Sequence, residues 1–255
     1  MTTLNKVYLR KLFELLRPEI VVTSSWLLRL GISKDLQKYY LKAGWLEAVG
    51  RGAYKRPKDQ IEWQGAINAI QTQIETEVHL GALSALVQQG FSHYFRFDKE
   101  ILQLFSPLRN NLPKWFLTYN WGMEILHKRT SFLPNHLGLK EIEIRQIPII
   151  ISSPERAIME CLYLAPAQVD LLECYQIFEG LVNLKPTLVN ELLKKCNSVK
   201  VKRIFLLMAE KSGHLWFQFL DTKNIDLGDG KRMIGKHTVY NSKYQISIPK
   251  ELMEL

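Results

Sequence analysis

The sequence predicts an α+β fold in two parts: a small basic N-terminal module, then a larger mixed domain whose strands are grouped before a helical, bundle-like segment. Three observations carry this expectation. Residues 17–57 set out two short helical patterns, a glycine turn between them, and a glycine-centred hairpin. Between about 101 and 151 the apolar runs are short and strand-like, whereas from Ser153 onward they take a helical period. Finally, Pro57-Lys58-Asp59-Gln60 is polar and linker-like, which divides the chain into residues 1–60 and 61–255.

In the N-terminal part, Leu4, Tyr8, Leu12 and Leu15 recur at helical spacing over residues 3–16, and Arg17-Pro18 ends that helix. Ile20-Val21-Val22 is a short strand-like run. Thr23, Ser24 and Ser25 offer N-caps for a second helix that Gly31 closes. Ser33 caps a third helix over 34–44, with Leu36, Tyr39, Tyr40 and Ala43 on its apolar face and Lys34, Gln37, Lys38 and Lys42 opposite. Leu41 falls on the polar side without an account. Residues 45–49 and 53–56 read as strands joined through Gly50-Arg51-Gly52, which permits a tight turn. The order is that of a winged helix-turn-helix, in which the second helix enters the major groove of DNA. On this reading Ser33, Lys34, Gln37, Lys38 and Lys42 meet base edges and phosphates, and Arg51, Tyr54, Lys55 and Arg56 hold the flanking backbone.

In the larger part, residues 61–74 and 79–89 read as helices. Residues 101–105, 115–119, 123–127 and 141–151 read as strands, the last interrupted by Pro148. Helices follow at 154–164, 169–181, 186–196, 201–209 and 215–220, and short strands at 231–234 and 244–249. Ser152-Ser153-Pro154-Glu155 is a helix start, either as a Ser153 cap with proline in the first turn or as a capping box between Ser152 and Glu155. Arg156 has two roles open to it: phosphate binding, or pairing with Glu155, Glu160 or a loop carbonyl. The second is preferred.

Charge separates the two parts. The chain carries a formal net charge of +9, yet residues 1–60 hold 12 Lys+Arg against 5 Asp+Glu while the remainder is close to balanced. Localised basic charge suits a phosphate-binding surface. A second basic run, Lys194, Lys195, Lys200, Lys202 and Arg203, contains no acid, and Lys231, Arg232 and Lys236 extend it as a second candidate DNA surface; solvated helix ends are the competing reading. No apolar run approaches the ~20 residues of a membrane span, and no signal-peptide core is present, so a cytoplasmic protein is expected. Cys161, Cys174 and Cys196 lack disulfide or CxxC spacing and read as buried thiols.

Catalytic patterns are missing. Asp226-Leu227-Gly228-Asp229-Gly230-Lys231-Arg232 lacks the spacing of a phosphate loop, and its Asp229-Gly230 reads as a hairpin turn. Glu141 and Glu143 alternate with Ile142 and Ile144, as in an amphipathic strand rather than a carboxylate cluster. His79, His93, His127, His136, His214 and His237 show no metal-ligand spacing. No catalytic residue, metal or cofactor is therefore expected.

Later segments are more specific: HLGALSALVQQGFSHYF (79–95), SSPERAIMECL (152–162), SVKVKRIFLLMAEKSGHLWF (198–217) and DLGDGKR (226–232). With the winged-helix unit before them, their order resembles the AbiEi-type antitoxins of bacterial type IV toxin–antitoxin systems over nearly the whole chain. That resemblance implies an autorepressor active in phage defence. The winged helix would bind double-stranded operator DNA upstream of its own operon, and the larger domain would counter a nucleotidyltransferase-like toxin without a stable complex. Two rivals stay open at this point: a DNA-tethered nuclease or nucleotidyltransferase-like enzyme, and a plain regulator whose larger domain dimerises or senses a ligand. Oligomeric state is left open.

Overall fold

Thr23 and Ser33 each cap the helix immediately after them. The Thr23 side chain accepts from the Trp26 N–H, and that of Ser33 accepts from the Leu36 N–H, so each gives one unpaired donor of a helix start its acceptor. The computed structural model describes residues 16–91 and 101–254. The helix expected over 3–16 lies, save Leu16, outside the described residues, as does His93.

The N-terminal module runs β1 (Val22–Thr23), α1 (Ser24–Arg29), α2 (Lys34–Lys42), β2 (Glu47–Gly50) and β3 (Ala53–Lys55). Its sheet has the order β1-β3-β2, antiparallel throughout, with Val22 opposite Tyr54 and Glu47 opposite Lys55. Leu16, Val22, Leu27, Ile32, Tyr40 and Leu46 form its small core, where Tyr40 stacks on Trp45. Helix α2 is turned relative to the expected face. Gln37 and Tyr40 are buried and Leu36 and Leu41 partly so, whereas Tyr39 and Ala43 are exposed. This accounts for Leu41: it packs against the small core. So few apolar side chains cannot fill the space under a short helix alone, and the Gln37 amide completes it by bonding rather than by apolar contact.

The larger part begins with α3 (Trp63–Thr72), β4 (His79–Leu80), α4 (Ala82–Val87), β5 (Ile101–Ser106), α5 (Lys114–Thr118), β6 (Glu124–Arg129), β7 (Leu139–Ile144) and β8 (Ile147–Ser152). Its sheet has the order β6-β5-β4-β8-β7, mixed in direction: β5 and β6 are parallel, β7 and β8 antiparallel. Helices α6 (Pro154–Leu164), α7 (Leu171–Gly180), α8 (Pro186–Lys195) and α9 (Val199–Lys211) come next, then two short 3-10 turns. The strands β9 (Arg232–Met233), β10 (Thr238–Asn241) and β11 (Ile246–Pro249) make a second small sheet, and α10 (Lys250–Glu254) closes the described chain. Helix α6 is buried on nearly every side, Cys161 included, and α9 likewise over Val201–Ala209. Helices without a polar face belong at a centre, and the other helices and the sheet pack around these two.

Four expectations are corrected. The run 79–89 is not one helix: His79–Leu80 pairs with β5 and β8 at the middle of the sheet, and α4 starts only at Ala82. The aromatic run 115–119 is helical, begun by Pro113 at the cap, with Trp115 and Phe116 inward and Leu117 and Thr118 outward. The run 141–151 is a hairpin, its turn made by Arg145 and Gln146 at φ 52° and 63°. Pro148 sits inside β8 where that strand has β7 on one side only, and its carbonyl accepts from Asn68 Nδ2. Asp229-Gly230 is no hairpin turn, because β9 pairs with β11 in parallel.

The N-terminal module is fastened to the larger part. The Gln73 side chain accepts from the Thr23 N–H at 2.8 Å and donates to the Val21 carbonyl at 2.8 Å, standing in for a strand neighbour of β1. Arg29 donates to the Gln73 carbonyl and pairs with Glu75. A Cβ placed on Gly50 would lie 2.7 Å from Trp115 Cβ, so only glycine lets the wing rest on α5.

Candidate nucleic-acid interface

The outward face of α2 presents Ser33, Lys34, Asp35, Lys38, Tyr39 and Lys42 to solvent. Ser33 stands at its N-terminus, where free backbone N–H groups and the helix dipole favour phosphate. Lys38 pairs with Asp35 at 3.2 Å, but both side chains are largely exposed, so solvent screens that pair and leaves the ammonium available. Tyr39, expected in the core, is 44% exposed among these lysines. Its hydroxyl adds a neutral donor and acceptor to a cationic face. Arg51 stands exposed at the wing tip, and Arg56 is half-buried without an ion pair among the described residues. Tyr54 is half-buried and packs against the small core.

Two residues expected at this surface are elsewhere. Gln37 is 1% exposed. Its Oε1 accepts from Ser24 Oγ at 2.6 Å, and its Nε2 donates to the Ile32 carbonyl at 2.9 Å and to the Ser24 carbonyl. It therefore fixes the angle between α1 and α2 and is withdrawn from the outward face of α2. Replacing Gln37 by alanine is expected to cost about 1–3 kcal/mol of folding stability through the groups left unpaired. The ranking of DNA sequences bound should stay unchanged; urea titration and a competition assay check the two halves, and a changed ranking would return Gln37 to the groove. Lys55 has a side chain only 12% exposed, bonded to Glu47 at 3.1 Å and to the Asp59 carbonyl at 2.7 Å. Lys55 and the Lys58 N–H together hold the Glu47 carboxyl below its ordinary range.

The second basic run does not form a surface. Lys202 and Arg203 are buried. Arg203 donates to the carbonyls of Leu227, Gly228, Gly230 and Gln245, between 2.6 and 2.9 Å, and so gathers the loop that DLGDGKR forms. Lys200 Nζ donates to the Tyr163 and Ala165 carbonyls. Lys194 pairs with Asp221 and Lys195 with Glu191. Arg232 is exposed, and its backbone N–H meets the same Gln245 carbonyl that the buried Arg203 holds. A run that crosses a helix junction and then wraps a central helix cannot share one face.

Arg156 takes its preferred role. Its Nε donates to Glu160 Oε1 at 2.8 Å, and its Nη1 to the carbonyls of Pro134 and Leu137. Glu160 is wholly buried and also accepts from His79 Nε2, Ser152 Oγ and the Ala82 N–H. Nothing in the sequence spacing joins His79 to Glu160; the sheet brings β4 beside β8 and α6. Glu141 and Glu143 are exposed on β7, alternating with half-buried isoleucines. Among the described residues no group of three or more His, Cys, Asp or Glu is placed to hold a metal. Ser106 Oγ lies 2.8 Å from His127 Nε2. Burial, then the Arg129 charge, lowers that imidazole to about 4, so it is neutral. Among the described residues no carboxylate bonds its other nitrogen, so the pair lacks the carboxylate that orients the base in a Ser-His-Asp triad.

Most of the chain matches two family models. Residues 99–249 match the family model described as a transcriptional regulator, AbiEi antitoxin, of a type IV toxin–antitoxin system, and residues 5–97 match that of the AbiEi antitoxin N-terminal domain. Among solved structures, the chain is similar to that of the Rv2827c protein from Mycobacterium tuberculosis, with 14% identity and a TM-score of 0.60 over 96% of this chain and 89% of that one. At that identity the likeness is one of fold. No curated protein matches.

Proposed function

This chain belongs to the AbiEi antitoxin family of transcriptional regulators of type IV toxin–antitoxin systems, and from that premise we propose that its first sixty residues bind the operator of its own operon and repress it. Helix α2 lies in the major groove. Lys34 and Lys38 meet phosphates or guanine, Tyr39 and Lys42 continue along the same face, and Arg51 and Arg56 hold the adjacent backbone. The observation that carries this reading is the exposed α2 face, three lysines and a tyrosine behind a serine cap, set beside a wing that ends in arginine. The larger domain counters a nucleotidyltransferase-like toxin, and it does so without forming a lasting complex with it. Regulation and antitoxicity both operate in the cytoplasm; no described helix is long and apolar enough to cross a membrane.

Fluorescence anisotropy on the DNA immediately upstream of the gene, against a scrambled duplex over a salt series, tests the operator claim. The expected result is tighter binding to the upstream duplex at every salt concentration, by roughly 1000-fold at physiological salt. Equal binding to both, with a steep salt slope, would reduce the module to a nonspecific phosphate binder.

A further inference from the structure

Beyond the DNA face, the larger domain contains a cavity of about 210 Å³. Apolar side chains of Val78, Phe105, Leu133, Leu139 and Ile150 make much of its wall, and His79, Ser106, Asn135 and Arg156 add polar groups. His79 and Arg156 are each 4% exposed and are held by the same Glu160 oxygen. That shared contact fixes what they offer. An ionised carboxylate only accepts, so His79 Nε2 carries the hydrogen and Nδ1 keeps its lone pair. Arg156 commits Nε to Glu160 and Nη1 to two carbonyls. Among the described residues, neither His79 Nδ1 nor Arg156 Nη2 has a hydrogen-bond partner. The cavity lining thus includes one acceptor and one donor, neither sealed from solvent, that no described group of the fold fills.

The charge of the cavity narrows the ligand. Glu160 already neutralises Arg156; of the two exposed glutamates in the lining, Glu75 pairs with Arg29 and Glu77 stands beside His136, so among the described residues no uncompensated cation faces the cavity. An anion gains nothing there. The aromatic faces favour a flat ligand: Phe105 stacks on the His79 ring at 6.0 Å and lines the same cavity. We propose that this cavity binds a neutral, planar nitrogen heterocycle of the nucleobase type, which turns a donor toward His79 Nδ1 and an acceptor toward Arg156 Nη2. Its volume suits a base or nucleoside, and the glutamates of its lining disfavour the corresponding nucleotide.

Imidazole ¹⁵N spectra of the full chain, recorded with adenosine, cytidine, guanosine or uridine at up to about 5 mM, test this. At least one nucleoside is expected to move the His79 Nδ1 resonance toward the hydrogen-bonded position while the other imidazoles stay in place. Leu139→Trp or Ile150→Trp, each narrowing the cavity from its wall, should weaken that response at least tenfold. The 5′-monophosphate of the responding nucleoside should bind less tightly than the nucleoside itself. The proposal is overturned if no nucleoside moves His79, if the response survives both tryptophan variants undiminished, or if the monophosphate binds more tightly.

Discussion

Replacing Lys34 and Lys38 together by glutamate is expected to lower affinity for the upstream DNA by at least about 100-fold near physiological salt, with the fold intact. Both side chains are exposed, and the sole partner of Lys38 among the described residues is the equally exposed Asp35. Surface changes of this kind shift folding stability by roughly 0.5 kcal/mol or less, so circular dichroism and the unfolding midpoint should not move. The cost falls on binding, where two attractions to phosphate become repulsions. The alanine pair separates charge from repulsion: each lost phosphate contact should flatten the slope of log affinity against log salt by about 0.9. A double glutamate variant that binds at wild-type affinity would remove α2 from the groove. The contrast with Gln37 sharpens the test, because that residue is one helical turn from Lys34 and adjacent to Lys38 in sequence, yet faces the core. Its alanine variant loses stability and keeps selectivity; the lysine variants do the reverse.

That contrast also shows where a sequence is legible. Order and caps were readable because they depend on neighbours: Thr23 and Ser33 each cap the very next helix, and glycine at the wing is demanded within three residues. The winged-helix outline rests on such local facts. The rotation of α2 does not. Two adjacent aromatics, Tyr39 and Tyr40, compete for one inward position, and the Trp45 ring and the Ser24 hydroxyl decide between them from outside the helix. Polarity misleads for the same reason. Gln37, Lys55, Lys202 and Arg203 look like surface groups in the sequence, yet all four are largely withdrawn from solvent. Gln37 and Lys55 bond to groups outside their own elements, and Arg203 has four carbonyls from distant loops. Burying an arginine is costly unless its donors are filled, and no pattern in residues 194–203 reveals that the 227–245 loops will fill them. His79 is the strongest case. Its neighbours in sequence suggest a helix, and only the pairing of β4 between β5 and β8 brings it to Glu160.

The largest effect on stability is expected at Glu160. Changing it to glutamine should destabilise the fold by about 3–5 kcal/mol, because it leaves the buried Arg156 charge without its counter-charge. The carboxylate accepts four hydrogen bonds, from His79, Arg156, Ser152 and the Ala82 N–H, and an amide can offer only one accepting atom to those donors. The backbone is shaped around this contact: a Cβ on Gly81 would collide with Glu160 Oε2, and Ala82 is held at φ 46°. Burial by itself pushes the Glu160 carboxyl up, but His79, Arg156 and Ser152 outweigh it and hold the group at about 2, against an ordinary 4.5. The sign is set by proton uptake. Below pH 4.5 the unfolded chain takes up a proton at this position that the folded chain refuses until about pH 2, so the stabilisation is complete above 4.5 and lost as pH falls through that window. The loss across that window is on the order of a few kcal/mol. Burial lowers the His79 imidazole as well, which adds a further decline below the ordinary histidine range. Urea unfolding of wild type and Glu160→Gln at pH 7, 5, 4 and 3 should therefore show a wide gap at neutral pH that narrows below about 4.5. A gap that stays constant across the series would mean that packing, and not the carboxylate charge, holds β4, β8 and α6 together.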